Sequence, residues 1–130
     1  MADRVVFVCE HGAARSVVAA AQFNRLAEVH HLPYRAIARG TDPQADIAPS
    51  AASGLREDGL ALPLQKPVKL TRADVEGAAR VITFCELPGS LAGDRRIEHW
   101  RAPAVGDGYV PAREEIVAQL KGLIADLEQR

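Results

Sequence analysis

Apolar residues in this chain come in short blocks, separated by turns rich in glycine, proline and charge. Residues 4–8, "RVVFV", are a bounded β-branched and aromatic run, which predicts a buried strand. From about Ala14 to Val29, small and branched apolar residues mix with Gln22, Asn24, Arg25 and Glu28. That mixture predicts a helix whose apolar face carries Val18, Ala21, Phe23 and Leu26. "HHLPY" turns the chain, and "YRAIARG" predicts a second strand ending at Gly40. Asp46 or Pro49 opens a short helix through Leu55 that Gly59 closes. "LPLQKPVKL", with two prolines, reads as extended loop. Thr71 then caps a helical turn in "TRADVEGA", with Asp74 well placed in its first turn.

"RVITFC" predicts a third strand ending at Cys85, and "RIEHW" a short fourth. "APAVGDGYVP" reads as a loop. "AREEIVAQLKGLIADLEQR" predicts a C-terminal helix with Ile116, Leu120, Leu123 and Leu127 on one face. Strands alternating with helices imply a parallel, doubly wound α/β sheet in one domain, residues 1–130. Such sheets bind ligands beyond the carboxyl ends of their strands, where Cys9 and Cys85 both fall.

Composition narrows the chemistry. The 130 residues are 48% hydrophobic and 25% charged, the profile of a soluble globular protein. Sixteen basic residues against seventeen acidic ones give a net charge of −1, which excludes a general nucleic-acid binder but not a local anion site. No apolar stretch is long enough to span a membrane, and the start of the chain lacks a signal-peptide layout, so a cytoplasmic location is expected. Two cysteines far apart make neither a disulfide framework nor a zinc pair, and the four histidines lack ligand spacing, so no metal is expected.

A strand, a tight turn and a helix start, as in "FVCEHGAARS", together make an anion site. Backbone N–H groups point into the turn, and the helix dipole adds positive charge. Gly12 permits a left-handed backbone among Glu10, His11, Ala13 and Ala14. Arg15 can hold two oxygens of a tetrahedral oxyanion, and Ser16 can donate to a Cys9 thiolate. Nucleophile, oxyanion cradle and cation thus fall within eight residues, 9–16. In the bland alternative, Cys9 merely ends a buried strand and Arg15 is solvated. His11 either tunes the thiolate or faces solvent, and His99 and Trp100 pack the fourth strand.

This stretch resembles the Cys-x5-Arg-Ser signature of low-molecular-weight protein tyrosine phosphatases and of the thiol-dependent arsenate reductases of the same fold. "ARGT" at 38–41 resembles the Ser-Ala-Gly-Thr ending the family's second strand. "RVITFC" and the His-Trp at 99–100 resemble the reductase branch. The resemblance implies a four-stranded parallel sheet of order 2-1-3-4 with helices on both faces, and no bound cofactor. It also implies that Cys9 attacks arsenate, or the phosphorus of a phosphomonoester through a phosphocysteine, while Arg15 holds the oxygens. The chain departs from the family at several places. The bracing Asn of the loop is missing, leaving Glu10 or His11 to brace it, and the second loop cysteine is Ala14. The acid-loop Asp-Pro falls on Ala104-Val105, which transfers the general-acid role to Asp107 unless that residue is a plain Asp-Gly turn. Cys85 is either the resolving thiol or a small apolar residue at a strand end. Seven residues beyond it stands Ala92 where the reductases often carry a third cysteine, so an external thiol or a thioredoxin- or glutaredoxin-like partner would complete a reductase cycle. A non-catalytic phosphate or arsenate sensor is the rival from another class.

Overall fold

The computed structural model describes residues 3–129; Arg130, which the sequence pattern assigns to the last helix, lies outside them. Four strands form one parallel sheet: β1 (Arg4–Cys9), β2 (Arg35–Gly40), β3 (Arg80–Thr83) and β4 (Ile97–His99). Their order is β2-β1-β3-β4, as the resemblance implied. Around it lie α1 (Arg15–Val29), α2 (Pro49–Glu57), α3 (Arg72–Glu76), α4 (Gly89–Ala92) and α5 (Tyr109–Glu128).

Strand alternation divides the core in two. Val5 and Phe7 of β1, with Ala36, Ala38 and Ile82, face a cluster built from α1, α2 and α5. Val6 and Val8, with Val81, face a smaller cluster that includes Val75 of α3 and takes in Leu91 of α4. Helices therefore cover both faces. Phe7 is fully buried, tilted against Phe23 at 6.0 Å and Trp100 at 5.8 Å. Burial of one such ring is worth roughly 1.5–3 kcal/mol. Helix α1 is nearly all interior, with residues 16–23 and Ala27 buried, so its alanines supply both helix propensity and close approach. Among the described residues, no helix is long and apolar enough to cross a membrane.

Local signals account for most boundaries. Pro49 occupies the first position of α2, where its missing N–H is no loss. Thr71 Oγ1 accepts from Asp74 N–H at 3.1 Å while Thr71 N–H donates to Asp74 Oδ2 at 3.0 Å, a full capping box. Several elements differ from expectation, beginning with α2, which runs to Glu57 rather than Leu55. Strand β3 stops at Thr83, whose hydroxyl accepts from the N–H of Cys85 at 3.1 Å and so turns the chain out of the ladder. Cys85 therefore sits two residues past the strand end. Helix α4 was not expected, being only four residues after a proline. Helix α5 begins at Tyr109, because Pro111 falls in its first turn, where a proline sacrifices no hydrogen bond.

A polar cluster joins the seam of α1, α2 and α5. Tyr109 donates its hydroxyl proton to Asp58 Oδ2 at 2.6 Å. Arg113 Nη1 donates to Asp58 Oδ1 at 2.9 Å. The buried Gln22 donates to Asp58 Oδ2 at 3.0 Å and to the Tyr109 oxygen at 3.2 Å. Burial and the bond to Asp58 push the Tyr109 phenol up to about 12. At Asp58 burial pulls the other way, but the bond from Tyr109, the charge of Arg113 and the bond from Gln22 outweigh it and leave the carboxyl below its usual range. The neutral phenol is thus favoured by folding. Its contribution is complete below the ordinary tyrosine value of about 10 and is lost as pH rises from there through the folded-state value. Thermal midpoints followed across this alkaline window should fall in the wild type and fall less in Tyr109→Phe; equal losses in both would show that the phenol is not coupled to folding.

Candidate active site

The loop between β1 and α1 is shaped by a backbone crossing. Gly12 lies at φ +62, and a Cβ there would sit 2.9 Å from the backbone nitrogen of Gly40. A Cβ on Gly40 would sit 2.6 Å from the nitrogen of Gly12, with backbone on every side of the clash. Gly40 is itself fixed: it pairs with Cys9 across the ladder, donates its N–H to Val68 O at 2.9 Å and accepts from Leu70 N–H at 2.8 Å. The loop therefore rests directly on the end of β2.

The segment after β2 braces the loop from outside. N–H groups of Thr41, Asp42, Gln44 and Ala48 donate to the carbonyls of Cys9 (3.3 Å), Glu10 (2.7 Å), His11 (3.2 Å) and Ala13 (3.0 Å). In a trans peptide the next N–H points opposite to the carbonyl. The N–H groups of Glu10, His11, Gly12 and Ala14 therefore point away from the brace. His11, one of the two residues expected to brace the loop, adds to this backbone set: its Nδ1 donates to the carbonyl of Asp42 at 3.2 Å. Glu10, His11 and Asp42 bring their donor atoms within 4.8 Å of one another on the exposed rim, a grouping that histidine spacing did not reveal.

Cys9 is 4% exposed, and its sulfur lies 3.1 Å from the hydroxyl of the fully buried Ser16. No side chain caps α1 at Ala14, so its first-turn N–H groups add positive potential at the loop. Arg15 donates from Nη1 to Ala102 O at 3.3 Å and lies over the Phe84 ring at 5.8 Å. Phe84 meets Trp100 edge-on at 6.3 Å, so the guanidinium sits on an aromatic stack reaching Phe7 in the core. Trp100 has the packing role expected of it.

A cavity of about 170 Å³ opens at this point. Cys9, Glu10, His11, Ala13, Ala14 and Arg15 line one side, Gln44 and Ala48 of the brace adjoin them, and Ala104, Val105 and Gly106 form the remaining wall. Asp107 follows this wall at the end of a short 3-10 turn, Val105–Asp107, and is exposed. Cys85 is half-buried, with its sulfur 3.5 Å from Thr83 Oγ1, and packs with the α3–α4 cluster. Cys9, by contrast, faces Ser16 of α1 on the other side of the sheet. The two thiols are free, and the Cys85 sulfur also lies 4.0 Å from Oγ1 of Thr41, a residue of the brace.

A family model described as low molecular weight phosphotyrosine protein phosphatase matches residues 4–91, more than half of the chain. The chain belongs to that family. Solved structures of arsenate reductases and of phosphatases are similar to it. An arsenate reductase from Archaeoglobus fulgidus is 27% identical with a TM-score of 0.77, the match covering 93% of this chain and 98% of that one. A low molecular weight protein tyrosine phosphatase from Bacillus subtilis is 22% identical with a TM-score of 0.82, covering 97% of each. A thioredoxin-dependent arsenate reductase from Corynebacterium glutamicum is 20% identical with a TM-score of 0.75, covering 98% of this chain and 63% of that one. No curated protein sequence matches the chain.

The loop is contiguous in sequence, which is why Cys9, Arg15 and Ser16 could be expected to stand together without a structure. The brace at 41–48, the Phe84 platform and the Ala102 carbonyl were missed. Each meets the loop from a distant segment, and only the "ARGT" likeness hinted at one of them. The Gly12–Gly40 crossing generates a test. Gly40→Ala should destabilise the fold by about 1–3 kcal/mol, since neither backbone can retreat. It should also abolish protection of Cys9 from iodoacetamide by millimolar phosphate, read by mass spectrometry. Wild-type stability and protection in Gly40→Ala would show that the loop does not depend on that contact.

Proposed function

We propose that this chain is a cysteine-dependent oxyanion enzyme of the cytoplasm, and that its substrate is arsenate, reduced to arsenite. The observation that carries the choice of substrate is the cavity. At about 170 Å³ it is smaller than the roughly 300–1,000 Å³ of sites for drug-sized ligands. Its outer wall is alanine, valine and glycine, and among the described residues no aromatic side chain lines it to stack a phenyl ring. A free tetrahedral oxyanion suits such a space better than an aryl phosphoester. The likeness to the Archaeoglobus fulgidus arsenate reductase supports the same reading.

In this mechanism the Cys9 thiolate attacks arsenic. An S–As bond forms, an As–O bond breaks, and the departing hydroxide leaves as water with a proton from Asp107. Arg15 and the loop N–H groups at 10–16 hold the remaining oxygens. A second thiolate then attacks the Cys9 sulfur. An S–S bond forms, the S–As electron pair goes to arsenic, and As(V) departs as As(III). Cys85 is one source of that thiolate. A disulfide needs Cα atoms within about 7 Å, and Cys85 follows by one residue the position level with Cys9 on the neighbouring strand, but its side chain packs with the α3–α4 cluster and would have to turn toward Cys9. An external thiol, or a thioredoxin- or glutaredoxin-like protein, is the direct route.

The position of Cys85 also favours a second reading, since a phosphatase needs no second thiol. A phosphomonoester would then give a phosphocysteine, with Asp107 protonating the leaving oxygen and later activating water. Binding without turnover would indicate the sensor instead.

Arsenate with a dithiol should yield arsenite at rates well above those for hydrolysis of an aryl phosphate. Aryl-phosphate turnover without arsenite formation would establish the phosphatase reading. Arg15→Lys keeps the charge but loses the two-pronged contact, and turnover should fall by about two to three orders of magnitude. In Cys85→Ser, arsenite release should persist with a small external dithiol; a block there, with a Cys9–Cys85 disulfide trapped in the wild type, would establish the internal relay.

A further inference from the structure

The wall facing the oxyanion loop is a short tether, residues 102–109, anchored at both ends. At one end Ala102 O accepts from Arg15, the first residue of α1. At the other end Tyr109 is seated in a notch on α2: a Cβ on Gly54 would fall 2.1–2.4 Å from three carbons of the Tyr109 ring. The Tyr109 hydroxyl is held by Asp58 at 2.6 Å, and Arg113 lies over the ring at 5.7 Å. Between the anchors there is little slack. Asp107 N–H donates to Ala104 O at 3.1 Å, Gly108 N–H to Val105 O at 3.1 Å, and Ala112 N–H to Gly108 O at 3.4 Å. The turn is thus bonded into the start of α5, and Val105, 2% exposed, is rooted in the main core cluster.

We propose that Tyr109 is a positioning residue: seated against Gly54 and bonded to Asp58, it fixes the Ala104–Gly106 wall at the distance that closes the cavity to all but small oxyanions. The inference rests on the reading that the 9–16 loop binds such an anion, and it assigns the size selection of that site to a residue outside it. A helix seam needing only adhesion is served by apolar packing. A carboxylate shared by a phenol, an amide and a guanidinium has one geometry in which all its bonds are made, and it sets the start of α5 in one place. Gly54 carries the same information sterically, because any side chain there evicts the ring. Asp107 inherits its position from the same anchor, two residues before Tyr109.

Two variants displace the anchor by different means. Tyr109→Phe removes the hydroxyl and keeps the ring, whereas Gly54→Ala keeps the hydroxyl and moves the ring. Each is compared with wild type for alkylation of Cys9 by iodoacetamide and by a bulky N-aryl maleimide, well below its own thermal midpoint. The ratio of bulky to small reagent rates should rise about tenfold or more in both variants. Half-protection by phosphate should stay within about threefold of wild type, and arsenate turnover should fall about tenfold or more, as expected when a reacting geometry is displaced by a fraction of an ångström. Transient unfolding also admits the bulky reagent, so both rates are followed through low urea: a ratio raised without urea, and before urea promotes unfolding, supports the inference, and a rise that only tracks unfolding overturns it. An unchanged ratio in Tyr109→Phe, or in Gly54→Ala where the former fails to fold, overturns the inference. Absence of phosphate protection in the wild type overturns the oxyanion reading instead, and the reagent ratio still reports on the wall.

Discussion

The contact between the backbones of Gly12 and Gly40 governs the rest of this site. It presses the β1–α1 loop onto the end of β2, so that the segment leaving β2 runs alongside the loop and takes up its outward carbonyls one after another. Those carbonyls, once occupied, turn the intervening N–H groups away from the brace, and Cys9 and Arg15 line one cavity with the loop. Without the contact there is no reason for the peptide units to align. The shape of the loop is thus a consequence of sheet register, since Gly40 is held opposite Cys9 by the same ladder that builds the core.

The two faces of the sheet serve different ends. On the larger side α1, α2 and α5 cover Val5 and Phe7, and everything placed around the cavity is rooted there: Cys9 against Ser16, Arg15 on the Phe84–Trp100 stack, and the wall through Val105 and Tyr109. On the smaller side α3 and α4 cover Val6 and Val8, and Cys85 belongs to that cluster. This division explains why the two cysteines, similar in sequence context, have different surroundings. Cys9 continues the strand parity of Phe7. Cys85 comes after the ladder has ended, beyond a threonine that bends the chain away.

Much of the architecture was legible beforehand because its signals are local. The branched run at 4–8, the alanine-rich stretch after it, Pro49 and the Thr71–Asp74 box each define an element from its own residues. The 2-1-3-4 order was carried by resemblance to a family with known topology. Where the reading slipped, a local signal was ambiguous. Pro111 looked like the end of a loop, although a proline in the first helical turn loses nothing. The "TFC" run looked like strand, although the Thr83 hydroxyl can replace ladder bonds. Four residues at 89–92 carry too little periodicity to announce a helix.

The sequence by itself determined that a thiol, a cation and a hydroxyl at positions 9, 15 and 16 stand at one loop, because a strand–loop–helix turn holds them together over a span too short for the chain to separate them. It also determined the parallel α/β class, through the alternation of buried strands with helices. Tertiary structure alone decided what surrounds that loop. The peptide brace at 41–48, the aromatic platform of Phe84 and Trp100, and the wall held by Tyr109 between Gly54 and Asp58 come from segments far apart along the chain. Their meeting depends on strand order, on the side of the sheet each helix crosses and on backbone clearances of a few tenths of an ångström. None of these has a signature in the residues considered one segment at a time.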